Sequence, residues 1–172
     1  LQFPKTSGLV IWLLPGPEHS TLYSDLISRL ADIYDSPSFT PHITLSRFPK
    51  QNQKSIVETM ETLADELKPS KAVMGEPVIG SSPFQKVTIP LDDRFLIEQY
   101  SKKVDRILGG KFAKREGFHL SLLYSTLDQC EINLKQIKEM CPDLEKLHIQ
   151  SIALVDLNFT PGEWKIIFER NL

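Results

Sequence analysis

Apolar positions along the chain alternate between two periods. Leu9–Leu14 is an unbroken apolar run closed by Pro15-Gly16-Pro17, the pattern of a buried strand. Leu22, Leu26, Leu30 and Ile33 then recur at helical spacing as far as Asp35-Ser36-Pro37-Ser38. Ser20 or Thr21 is placed to cap the start of that helix. Ile43–Phe48, bracketed by Pro41 and Pro49, predicts a short strand, and Ile56, Met60, Leu63 and Leu67 predict a second helix ending near Pro69.

The second half repeats this grammar. Val73–Gly80 and Phe84–Leu91 read as strands separated by Ser81-Ser82-Pro83. Asp92-Asp93 opens a helix with Leu96, Tyr100, Val104 and Ile107 on its apolar face, stopped by Gly109-Gly110. Phe118–Tyr124 is a strand. Leu134, Ile137 and Met140 mark a helix ended near Pro142. Strands at Leu147–Leu157 and Trp164–Phe168 follow, joined by Thr160-Pro161-Gly162. Strands alternating with helices give an α/β or α+β protein. Each half holds a helix, a short strand and another helix.

Composition narrows the chemistry. With 41% hydrophobic and 24% charged residues, the chain reads as an ordinary globular protein. Its net charge of −2, without a Lys/Arg run, argues against an extended grip on a nucleic-acid strand, which needs clustered positive charge. A small anionic ligand needs only a local site. No apolar run approaches the ~20 residues of a membrane span, and no basic-then-apolar targeting pattern opens the sequence. Cys130 and Cys141 are too few for a disulfide scaffold and read as buried free thiols.

The two short central strands carry the candidate chemistry. Pro41-His42-Ile43-Thr44-Leu45 and Phe118-His119-Leu120-Ser121-Leu122 each place a histidine two positions before a hydroxyl residue. Side chains alternate along a strand, so imidazole and hydroxyl share one face and the aliphatic neighbours take the other. A single histidine in this pattern reads as an ordinary core or surface residue. The match His19-Ser20-Thr21 reads as a helix start, and His148 does not match. Two matches in apolar strands, one per half, read as a paired site. Imidazole has an ordinary pKa of ~6.5 and serves as either base or acid near neutrality. Two facing a phosphate can run an in-line displacement without a metal, and Thr44 and Ser121 can donate to the non-bridging oxygens. Phosphate-loop, dinucleotide, C-x-x-C and H-E-x-x-H motifs are absent from the sequence, as are a local zinc-ligand cluster and a G-x-S-x-G elbow.

These paired motifs resemble the signature of the two-histidine (2H) phosphoesterase superfamily. Val10-Ile11-Trp12-Leu13-Leu14-Pro15, Phe39-Thr40-Pro41-His42-Ile43-Thr44-Leu45 and Phe118-His119-Leu120-Ser121-Leu122-Leu123-Tyr124 are most similar to the small cyclic phosphodiesterases of plants and fungi. Phe84-Gln85-Lys86-Val87, Ile152-Ala153-Leu154 and Trp164 are weaker echoes. The resemblance implies an α+β fold of two lobes in a single domain over residues 1–172, with antiparallel sheets around a central cleft and helices outside. It implies hydrolysis of ADP-ribose 1″,2″-cyclic phosphate, a by-product of tRNA splicing, to ADP-ribose 1″-phosphate, and of nucleoside 2′,3′-cyclic phosphates to 2′-phosphates. It implies no cofactor, His119 as base and His42 as acid. Trp12, Phe84 and Tyr124 become candidates to line the cleft, Tyr124 with its hydroxyl at the mouth. Arg47 and Lys86 are candidate positive charges.

Two alternatives stay open. One is a 2H enzyme of RNA ends, 2′,5′-ligase-like or exonuclease-type. The other is a non-catalytic module binding nucleotides or RNA ends in the same cleft. A small nucleotide is the expected partner, a monomer the expected state, and the cytoplasm the expected compartment. Association with internal membranes such as Golgi is the alternative that the fungal resemblance implies.

Overall fold

The computed structural model describes residues 3–50, 53–92, 94–109 and 117–172. β1 (Leu9–Pro15) is buried along its whole length. α1 (Pro17–Tyr34) begins with proline at its first position, where the missing N–H would have had no helical partner. Its N-cap is Gly16, not Ser20 or Thr21. Those two lie inside the first turns, where the Thr21 hydroxyl donates back to the Pro17 carbonyl. The helix closes on Asp35, in the left-handed region at φ 48°.

β2 (Ile43–Phe48), α2 (Gln53–Glu66), β3 (Ser70–Val73), β4 (Val78–Ile79), β5 (Val87–Leu91), α3 (Arg94–Leu108), β6 (Phe118–Leu123), α4 (Leu134–Met140), β7 (Lys146–Asp156) and β8 (Lys165–Asn171) follow. The larger sheet runs β2-β1-β7-β3, every pair antiparallel. β7 is long enough to serve two partners in succession. Lys146–Ile149 pairs with β3, and Ser151–Asp156 pairs with β8. The smaller antiparallel sheet is β4-β5-β6.

The expected strand Val73–Gly80 is two strands. Met74 donates its N–H to Glu145 at the end of the larger sheet, and Gly75 donates to Pro90 beside the smaller one. Pro77 has no N–H to continue a ladder. The chain therefore crosses between sheets where one strand was expected. The strand expected from Phe84 begins only at Val87, because Pro83–Gln85 forms a 3₁₀ turn. Gly80 makes that turn possible: a Cβ there would sit 2.3 Å from the Gln85 carbonyl oxygen. In α3, Tyr100 and Val104 are buried as expected, and Gly109 at φ 64° donates to Asp105. Asp93, Gly110 and the Leu96 side chain lie outside the described residues.

One apolar cluster joins both sheets to the helices. It includes Ile43 and Leu45 of β2, Leu120 and Leu122 of β6, Leu26 and Leu30 of α1, and Met60 and Leu63 of α2. Burying each such side chain contributes ~1.5–3 kcal/mol. The four residues from β2 and β6 anchor the backs of the two histidine-bearing segments. The fold is α+β, with antiparallel sheets lining a cleft and helices outside. No helix among the described residues is long and apolar enough to cross a membrane. Cys130 is exposed and Cys141 half-buried, so the expectation of buried thiols holds only in part.

Candidate active site

β1 sits between two apolar clusters. Leu9, Ile11 and Leu13 join the main core, while Val10, Trp12 and Leu14 point to the cleft side. Cross-strand partners share a face. Trp12 is opposite Thr44, Ile11 opposite Ser46 and Val10 opposite Arg47, so Leu45 is an extra residue in the ladder. The smaller sheet repeats the device. Thr88 is opposite Ser121 and Val87 opposite Leu123, so Leu122 is the extra residue.

Each bulge follows its hydroxyl residue directly and reverses the alternation of faces from there on. His42 and Thr44 face the cleft, and Arg47 joins them at an odd spacing. His119 and Ser121 face it, and Tyr124 joins them at the same odd spacing. Ser46, displaced to the other face, donates its hydroxyl to Asp105 of α3.

The cleft has a volume of about 620 Å³ counting its open mouth, and all six of these residues border it. The His42 ring is firmly placed. Its Nδ1 lies 2.7 Å from the Thr40 carbonyl, which fixes a proton on Nδ1 and leaves Nε2 as the basic nitrogen of the neutral ring. Trp12 lies flat against it, ring centroids 3.7 Å apart and planes 12° apart, and Phe39 meets it edge-on. Only 7% of His42 is exposed, whereas His119 is half-buried. Ser121 donates to the Phe84 carbonyl at 3.2 Å, so its hydroxyl must rotate to reach a ligand.

The proposed lining residues all border the cleft, in different ways. Trp12 is 3% exposed with a face against His42, so it supports the imidazole and offers no open surface to a base. Phe84 contributes ring and carbonyl from the 3₁₀ turn. Tyr124 is not at the mouth. It is buried, stacked on Phe39 at 3.6 Å and edge-on to Phe84. Burial pushes its phenol well above the usual tyrosine range, with the Arg47 charge opposing, so it is a hydrogen-bond donor at neutral pH. Of the two candidate cations, Arg47 borders the cleft. Lys86 is buried, donates to the Leu127 carbonyl and does not reach it.

A family model described as "Cyclic phosphodiesterase-like protein" matches residues 7–166. The chain belongs to the cyclic phosphodiesterase-like family. That places it among the 2H phosphoesterases. A search of curated proteins gave no significant match. Among solved structures, E. coli LigT complexed with 3′-AMP is similar at a TM-score of 0.63 and 12% identity, over 96% of this chain and 98% of that one. LigT complexed with NADP+ gives 0.58 and 12%, over 99% of each. Kluyveromyces marxianus Usb1 gives 0.50 and 13%, over 95% and 97%. These likenesses are of fold.

In this cyclic phosphodiesterase-like chain the cleft also recruits residues that the motifs do not point to. Thr6, near one end, and Trp164, near the other, border it together: the Trp164 Nε1–H donates to the Thr6 hydroxyl at 2.9 Å. Trp164 is edge-on to both Trp12 and Tyr124. Among the described residues, no group of three or more His, Cys, Asp or Glu is gathered as a metal site.

Proposed function

We propose that this chain is a metal-independent two-histidine hydrolase that opens a cyclic phosphate on ribose at the end of a nucleotide or short RNA, with the 172 residues acting as one bilobal unit. The observation that carries this reading is the convergence of His42, Thr44, His119 and Ser121, from opposite halves of the chain, on one cleft. His119, the more open imidazole, takes a proton from water as the water oxygen attacks phosphorus. The P–O3′ bond breaks, and His42 gives its proton to the departing 3′-oxygen, leaving a 2′-phosphate. Thr44 and Ser121 donate to the non-bridging oxygens. Trp12 and the Thr40 carbonyl hold the acid in line.

Of the substrates that the plant and fungal resemblance implies, ADP-ribose 1″,2″-cyclic phosphate has the weaker support. Among proteins of this fold, LigT is seen complexed with 3′-AMP, a ribonucleotide phosphate, which supports the reading as a 2H enzyme of RNA ends. The test is turnover of adenosine 2′,3′-cyclic phosphate, and of ADP-ribose 1″,2″-cyclic phosphate beside it, in excess chelator. Products are identified by phosphorus NMR. We expect turnover, a bell-shaped pH profile and the 2′-phosphate as product. Mainly 3′-phosphate would reverse the seating of the ribose between the histidines. Strict dependence on added zinc or magnesium would defeat the mechanism, and binding without turnover would identify a non-catalytic module.

A further inference from the structure

The bulge at Leu45 brings Arg47 into the cleft, and the surroundings define what its charge can serve. Val10, its cross-strand partner, is two positions along β1 from Trp12, the partner of Thr44. At ~3.3 Å per residue, the Arg47 backbone lies about 7 Å along the strand from Thr44. Arg47 is exposed, borders the same cleft as the hydroxyl pair and carries a charge that reaches the Tyr124 phenol. Its guanidinium is always charged and presents a planar fork that fits phosphate oxygens two at a time.

Among the described residues Arg47 forms no ion pair with a carboxylate, and it is the only Lys or Arg bordering the cleft. A cyclic phosphate diester carries one negative charge. Thr44, Ser121 and a protonated imidazole already match it. The Arg47 charge is then available for a second anionic group on the same substrate.

We propose that Arg47 is a specificity-determining residue that selects ribose cyclic phosphates bearing a further phosphate, such as a 5′-phosphorylated nucleotide or the last nucleotides of an RNA end, over the bare nucleoside. This rests on the proposed activity. Among the described residues, one guanidinium fork on the cleft is then what a second phosphate would meet.

The test compares kcat/KM for adenosine 2′,3′-cyclic phosphate with that for its 5′-phosphorylated form, in wild type, Arg47→Gln and Arg47→Lys. The wild type should prefer the phosphorylated substrate by roughly 10-fold. That is the lower end of what a hydrogen bond to a charged group contributes, because the site is exposed. The preference should shrink as salt rises. Arg47→Gln should lose far more on the phosphorylated substrate and bring the ratio near one. Arg47→Lys should keep part of it, having charge without the fork. A wild type indifferent to the 5′-phosphate would overturn the proposal, as would equal losses on both substrates in Arg47→Gln, which would put Arg47 on the reacting phosphate. If the wild type turned over neither substrate, the proposed activity itself would fall.

Discussion

β2 and β6 are the same backbone device with different side chains. Both place histidine and hydroxyl at the cleft, His42 directly before β2 and His119 within β6, both bulge at the residue after the hydroxyl, and both deliver a further residue into the cleft three positions after it. On the β2 side the histidine is clamped between an indole and a backbone carbonyl, and the late arrival is the exposed, charged Arg47. On the β6 side the histidine is more open, and the late arrival is the buried, neutral Tyr124. The bulges are held differently too. Ser46 is tied by a hydrogen bond to Asp105, whereas its counterpart Leu123 is held by apolar burial. Two near-equivalent strands thus carry one buried and one half-buried imidazole, a difference that the motif alone does not contain.

The largest effect should come from breaking the pair itself. His42→Ala and His119→Ala should each lower kcat by ~10²–10⁴, the usual contribution of a positioned acid or base. Steady-state kinetics on folded protein checks this, and near-normal kcat in either variant would sink the two-histidine mechanism.

Next come the hydroxyls. A hydrogen bond to a charged group contributes ~1.5–3 kcal/mol, so Thr44→Ala and Ser121→Ala should cost roughly 10- to 150-fold in kcat/KM. These contacts exist before and during reaction, so part of the loss should appear in KM. Ser121→Ala should be the milder of the two, because its hydroxyl leaves the Phe84 carbonyl to serve a ligand. A loss carried wholly by kcat would show that the hydroxyls act only in the transition state.

The smallest effect should be on stability, and it separates the two bulges. Burial raises Asp105 above the usual carboxylate range, with the Ser46 hydrogen bond opposing. A raised value in the folded state stabilises fully below the ordinary aspartate range and is lost as pH climbs through the raised value. Asp105→Asn removes that loss while keeping an acceptor for Ser46. Its Tm relative to wild type should therefore rise between about pH 3 and neutrality. A pH-independent difference would show that Asp105 ionises as freely folded as unfolded.

Much of this was legible in the sequence, for physical reasons that also set the limits. Ile43, Leu45, Leu120 and Leu122 are aliphatic because their face is core, so both motif strands and their histidine faces follow from alternation alone. Alternation fails beyond the hydroxyls, because a bulge of ordinary leucine carries no glycine or proline to announce it. It therefore could not choose Arg47 over Lys86, nor place Tyr124 in depth. Phe84 was assigned to a strand because the Pro83 turn and the Gly80 close approach depend on a contact with Gln85 that composition does not display. Thr6 and Trp164 meet only through the sheet, from nearly opposite ends of the chain.

The flat contact between Trp12 and His42 has an optical consequence. The chain contains two tryptophans, and both border the cleft. Indole emission from this protein therefore originates wholly at the site. A protonated imidazole held against an indole quenches it far more than a neutral one does. A pH titration of intrinsic fluorescence then reads the charge of His42 in resting protein, with Trp12→Phe isolating its share from that of Trp164, and without label or substrate.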